Sequence, residues 1–169
     1  MNFKTVEDIR KEGFQGFVRI AELYQDSSLL PHEKGVYLVL YREDQKPVFL
    51  ERGSGGSHKG KNPNVPISTL VSAWVNDTIV LYIGQAGGKR GGKESNATLQ
   101  SRIKTYLSFG RGRKAGHWGG RLIWQIQDSQ NLIVCWKRTE KEDPKKVEEN
   151  LIQEFQSIYQ KRPFANLQD

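Results

Sequence analysis

The chain has 169 residues, with 26 Lys or Arg against 19 Asp or Glu and a formal net charge of +7. That length suits one compact domain, and 27% charged beside 36% hydrophobic residues marks an ordinary soluble protein with a moderate core. No apolar run approaches the ~20 residues of a membrane helix, residues 1–13 are too polar for a secretory signal, and a single cysteine, Cys135, excludes an internal disulfide and points to a reducing, cytoplasmic setting.

Thr5 followed by Asp8 predicts an N-cap for a short helix over 6–12. Residues 14–31 are mixed and carry no assignment. The apolar run 35–42 predicts a buried strand, and Lys46-Pro47 predicts a turn into a short partner strand, 48–50. Residues 52–66, rich in Gly, Ser, Asn and Pro, predict a loop. A helix capped by Ser68 is expected over 67–75, a turn at Asn76-Asp77, and a strand over 78–84. Residues 87–92 read as a flexible basic loop. Thr98 can cap a helix over 99–109, and a second Gly-rich basic loop follows over 110–120. Two apolar runs, 121–127 and 131–138, read as strands of a hairpin around Asp128-Ser129-Gln130. Asp143-Pro144 opens the last helix, with Pro at its first position, and the helix runs to about Gln160. Interspersed strands and helices predict an α/β domain with a small, mainly antiparallel sheet flanked by helices. Cys135 lies in one apolar run, so a buried, inert thiol is expected.

The positive charge is concentrated. Residues 84–121 hold nine Lys or Arg and one acid, Glu94, so this stretch carries +8 and the rest of the chain −1. Charge runs are usually solvated loops, but this one is interleaved with Gly and aromatics and lacks counter-charges. A concentrated basic patch is the footprint of a polyanion partner, here nucleic acid. The candidate contacts are Lys89, Arg90, Lys93, Lys104, Arg111, Arg113, Lys114, Trp118 and Arg121. In His117-Trp118-Gly119-Gly120-Arg121, Trp118 and Arg121 either clamp nucleic acid by stacking, or Trp118 is a buried aromatic at the start of a strand.

Two charged residues fall on apolar helix faces. Positions i, i+3, i+4 and i+7 share a face. In the middle helix Leu99, Ile103 and Tyr106 form a stripe that includes Arg102. In the last helix Leu151, Ile152, Phe155 and Tyr159 share a face with Glu148, while Glu149 turns away. Arg102 either serves a purpose or reaches water over a packed stem. Glu148 either carries chemistry, complements the helix N-terminus, or pairs with Arg102.

The order of Gly35-Val36-Tyr37, Tyr82-Ile83-Gly84, Leu99-Gln100-Ser101-Arg102-Ile103, Glu148-Glu149-Asn150-Leu151-Ile152 and Pro163-Phe164-Ala165-Asn166 resembles the GIY-YIG nuclease family. Tyr106, four residues after Arg102, is similar to members resembling the excision-repair incision nuclease. The resemblance spans residues 35–166. It implies a nuclease domain over 35–169, an N-terminal extension over 1–34 packed on the core, and an insertion over roughly 45–77 between the first two core strands. The chain departs from some members in carrying Gln85, rather than Lys, after the second tripeptide.

The resemblance implies a divalent-metal-dependent endonuclease acting on DNA, with Mg²⁺ or Mn²⁺ as cofactor. Alternatives are a structure-selective repair nuclease, an RNase, or a non-catalytic DNA-binding module. By the same resemblance Tyr37 takes a proton from the attacking water, Tyr82 and Tyr106 complete the nucleophile network, Arg102 holds the scissile phosphate, Glu148 binds one metal ion, and Asn166 is structural. A free phenol has a pKa near 10, so Tyr37 needs a cationic neighbour for this role at neutral pH. Two decoys fail. Residues 55–61 approach a phosphate-binding loop, but Asn62 replaces the needed Ser or Thr and Pro63 and Pro66 break the following helix, so no nucleotide cofactor is expected. His32, His58, His117 and Cys135 have no zinc-site spacing.

Overall fold

The computed structural model describes residues 1–42 and 46–167. Helix α1, Val6–Lys11, begins as predicted: Thr5 Oγ1 accepts from the Asp8 N–H at 3.1 Å. The unassigned stretch then supplies strand β1, Gln15–Arg19, and helix α2, Ile20–Gln25. Strand β2 is Gly35–Leu40, α3 is Ile67–Ala73, and β3 is Val80–Ala86. Strands β4, Lys89–Arg90, and β5, Lys93–Glu94, precede α4, Leu99–Gly110. Strand β6, Ile133–Arg138, and helix α5, Pro144–Tyr159, complete the order.

The architecture is α/β, built on a four-stranded antiparallel sheet of order β1-β6-β2-β3. Residues 1–34 therefore do more than pack on the core: β1 forms one edge of the sheet. Strand β2 lies between β3 and β6, with Tyr37 opposite Gly84 on one side and Trp136 on the other. Alternation along the strands separates two apolar layers. Tyr37, Val39, Tyr82, Val134 and Trp136 face α4 through Leu99, Ile103 and Tyr106. Val36, Leu38, Ile83 and Cys135 face α5 through Leu151, Ile152 and Phe155. Phe3 closes this second layer, with its ring centroid 5.1 Å from that of Phe155. Cys135 is fully buried there, and burial pushes its thiol pKa up.

Several local expectations change. Residues 48–50 do not pair with β2, whose two edges β3 and β6 already occupy. Phe49 instead bridges Ile126, and Leu50 N–H donates to the Gln125 carbonyl at 2.8 Å. The predicted strand over 121–127 is a 3₁₀ turn over Arg121–Gln125, so there is no hairpin with β6. All of Leu122–Ile126 is buried, and a short, mostly apolar segment reads alike for a buried strand and a buried turn of helix. Helix α3 starts from Pro66 without a side-chain cap, so Ser68 is not its cap. The basic loop at 87–92 is part of a two-stranded ribbon, β4-β5, turned by Gly91 and Gly92, both at positive φ. Helices α4 and α5 begin as expected. Thr98 and Ser101 form a capping box, and Asp143 Oδ1 accepts from the Lys145 N–H ahead of Pro144.

Candidate active site

Tyr37 sits on the central strand with its ring laid across the neighbouring strand. A Cβ on Gly84 would lie 2.5 Å from Tyr37 Cζ, so only glycine leaves room for the phenol. Tyr82, two residues earlier on β3, points to the same face, and its ring centroid is 5.9 Å from that of Tyr37. Tyr106 arrives from α4 and stacks on Tyr82 at 5.7 Å. Its hydroxyl donates to the Gly120 carbonyl at 3.1 Å. The three tyrosines thus come together from β2, β3 and α4.

His117 completes this cluster, and sequence reasoning missed it. Its Nε2 lies 2.9 Å from the Tyr37 hydroxyl, and its ring centroid is 4.5 Å from that of Tyr106. His117 is fully buried, and its Nδ1 has no hydrogen-bond partner among the described residues. Burial first, and then the positive charge of Arg102, lower its pKa to about 3, against a weaker opposite pull from the carbonyls of Gly119 and His117. The imidazole is therefore neutral at neutral pH, and it shares one hydrogen bond with the Tyr37 hydroxyl whose direction follows the tautomer, the phenol donating when Nδ1 carries the ring proton. The signal was the Gly-Gly pair that follows it. Gly120 holds a φ of 76°, and a Cβ there would lie 3.2 Å from both Tyr106 and Tyr82. The chain at 117–120 can wrap the tyrosines this closely only without side chains at 119 and 120.

Arg102 and Glu148 lie half-buried at the rim. Arg102 Nη1 donates to the Gly116 carbonyl at 3.3 Å, tying α4 to the segment that carries His117. Both charges act on the Tyr37 hydroxyl. Burial raises its pKa well above 10, the neighbouring Tyr82 adds to this, Arg102 pulls it down, and Tyr106 and Glu148 push it up. Tyr106 is likewise raised by burial. The expected cationic neighbour is present, but desolvation outweighs it. Tyr37 is a neutral phenol here, not a phenolate, and is 0% exposed.

Asn166 lies outside this cluster. Its Oδ1 accepts from the Ile83 N–H at 2.9 Å and its Nδ2 donates to the Ile83 carbonyl at 2.8 Å. Ala165 N–H bonds the Leu81 carbonyl at 2.8 Å. Residues 165–166 therefore stand in for a partner strand along the open edge of β3. Gln85 accepts from the Gly88 N–H at 3.1 Å, which shapes the turn into the ribbon.

The basic residues do not form one surface. Lys89 and Lys93 are exposed on the ribbon, and the side chain of Arg90 lies outside the described residues. The ribbon stands beside the start of α5, since a Cβ at Gly88 would meet Lys145 and Asp143. Arg113 and Lys114 are exposed in the loop after α4. Lys104 and Arg111 lie about half a turn around α4 from Arg102, at 3.6 residues per turn. Arg111 is engaged by the N-terminal segment: its guanidinium lies 4.0 Å from the Tyr24 ring centroid and donates to the Tyr24 carbonyl at 3.0 Å. Trp118 is half-buried, with the Arg121 guanidinium 4.4 Å from its ring centroid and His58 at 6.2 Å. It is neither a core tryptophan nor a free platform.

Among the described residues, no group of three or more His, Cys, Asp or Glu is placed to hold a metal ion. At the rim, Glu148 offers a carboxylate. That donor set fits a Mg²⁺ or Mn²⁺ ion whose remaining ligands are water and phosphate oxygens, and does not fit a closed protein cage. No helix among the described residues is long and apolar enough to cross a membrane. Comparison with protein-family models, curated proteins and solved structures gives no match for this chain.

Proposed function

We propose that this chain is a GIY-YIG-like endonuclease that hydrolyses phosphodiester bonds in DNA with a divalent metal. The observation that carries the reading is the convergence at the Tyr37 hydroxyl: Tyr82, Tyr106, Arg102 and Glu148 all act on it electrostatically or by ring contact. With Tyr37 they come from four separate elements, β2, β3, α4 and α5, and are the ones that the motif order singles out.

The geometry favours a relay over a tyrosinate base. A proton leaving the attacking water passes to Tyr37 Oη as the phenol proton passes to His117 Nε2, so no free phenolate forms. Arg102 grips the scissile phosphate through its remaining N–H groups. A phosphate there offsets the positive charge that lowers the His117 pKa, which makes the imidazole a better acceptor when substrate is bound. Glu148 would hold the metal, which supplies stabilisation of the leaving oxygen. Tyr37 and His117 are both 0% exposed, so substrate reaches them only when the segment around 116–120 shifts. The Arg102 bond to the Gly116 carbonyl is the tie a phosphate would compete for.

The test is incubation with supercoiled plasmid, single-stranded DNA, branched DNA and RNA, each with Mg²⁺, Mn²⁺ or EDTA. Nicking or linearisation that EDTA abolishes is expected. No cleavage of any substrate with either metal would sink the enzyme reading and leave a DNA-binding module with the same fold.

A further inference from the structure

We propose that the cavity between α2 and α4 is a second phosphate-binding site, separate from the tyrosine cluster. It is an open groove of about 200 Å³, lined by Tyr24, Ser27, Lys104, Ser108, Arg111 and Arg113 over an apolar floor of Leu23 and Leu107. Three cations and the hydroxyls of Ser27 and Ser108 converge there, the Tyr24 hydroxyl donates to the Leu107 carbonyl at 3.4 Å, and no carboxylate is in the lining. None of the three cations is in an ion pair among the described residues. The nearby Asp26 carboxylate is turned to the Ser28 N–H at 2.8 Å.

Arg111 is the anchor. The ring and carbonyl of Tyr24 hold its guanidinium from one side. A fork fixed in advance loses less freedom when it binds an anion. Ser27 and Ser108 are half-buried and supply hydroxyl donors, while Lys104 and Arg113 are exposed at the mouth. Tetrahedral oxyanions suit this mixture of a planar fork, an ammonium and hydroxyls. The arrangement also gives the N-terminal segment a task beyond packing, because α2 and its C-terminal turn build one wall. The site lies about half a turn around α4 from Arg102. It therefore contacts a phosphate other than the one Arg102 holds. The inference extends the nuclease reading by naming a second phosphate contact, but the pocket does not require that reading.

Isotope-labelled protein titrated with inorganic phosphate at low ionic strength tests the site by amide chemical shifts. Saturable shifts at Ser27, Ser108, Arg111 and Arg113 are expected. They should persist in Arg102→Ala and weaken by roughly tenfold or more in affinity in the double variant Lys104→Ala/Arg113→Ala. Both replaced residues are exposed, so the variant keeps its fold. No shifts, shifts confined to Arg102 and its neighbours, or shifts unchanged in the double variant would overturn the site. A second arm separates the sources of the phosphate. If a nucleic-acid backbone supplies it, the double variant lowers the salt slope of oligonucleotide binding by about one to two. If a free phosphate or mononucleotide supplies it, that slope stays unchanged while the phosphate titration still depends on Lys104 and Arg113. Failure of the nuclease reading shows as absent cleavage and leaves the phosphate titration untouched.

Discussion

The Tyr37 hydroxyl lies 2.9 Å from His117 Nε2, in a bond that joins residues eighty positions apart and excludes water from both. Each group alone would be poorly placed for acid–base work: the phenol pKa is raised and the imidazole pKa lowered. Together they form a hydrogen-bonded pair through which a proton from water can pass to the imidazole without a free phenolate. A general base positioned in this way typically contributes about 10²–10⁴-fold in rate. Tyr37→Phe should therefore lower single-turnover cleavage by that order, while oligonucleotide affinity stays within a fewfold. His117→Gln keeps an acceptor for the phenol but cannot carry the proton onward, so it should match Tyr37→Phe. Full activity in His117→Gln would remove the relay.

The same histidine sets a pH dependence of stability. Below pH 6.5 the unfolded chain protonates His117, whereas the folded protein does not until about pH 3. The unfolded state binds more protons across that window, so stability falls as pH falls, by up to about 1.4 kcal/mol per pH unit from this group. Above pH 6.5 the group contributes no slope. Urea denaturation of the wild type and His117→Gln at several pH values between 4 and 7 should show a shallower decline in the variant. Parallel declines would mean that His117 is not buried neutral.

Asn166 should be structural. Its amide supplies both main-chain partners of Ile83 on the edge of β3, and leaving a buried pair unsatisfied costs about 1–3 kcal/mol. Asn166→Ala should lower the Tm by several degrees yet retain cleavage within a fewfold below its melting range. Asn166→Asp keeps the acceptor and loses the donor, so it should also destabilise. Loss of cleavage at unchanged Tm would place Asn166 in the chemistry instead.

Glu148 and Glu149 separate chemistry from helix electrostatics. Both occupy the first half of α5, but Glu149 makes an exposed pair with Lys145 at 3.7 Å, worth about 0.3–0.5 kcal/mol. Glu149→Gln should therefore stay active with little change in Tm. Glu148 acts on Tyr37, and Glu148→Gln should abolish cleavage by several orders of magnitude while DNA affinity changes only a fewfold. If Glu149→Gln is the inactive variant, the helix register of the site is wrong. If Glu148→Gln fails to fold, the carboxylate is structural.

The helix starts and the strands that run through the middle of the sheet are legible in the order of residues alone. Thr5, Thr98 and Asp143 act through neighbours in their own first turns, and local chemistry of that kind is written in adjacent residues. Strands β2, β3 and β6 were legible because they are continuous apolar runs. The inward faces of Arg102 and Glu148 followed from helical periodicity. Long-range packing sets what periodicity cannot carry. Residues 121–127 read as a strand because Leu122, Ile123, Trp124 and Ile126 are apolar, yet β1 and β2 already occupy both edges of β6. Strand β1 was hidden in a mixed sequence, because only pairing with β6 makes it a strand. The bond between His117 and Tyr37 depends on Gly119 and Gly120 letting a loop close over three aromatic rings, and no local pattern records that distance. The basic stretch looked like one surface because charge is additive along a sequence. Folding wound it around α4, so Arg102 and Arg111 ended on opposite sides of the same helix.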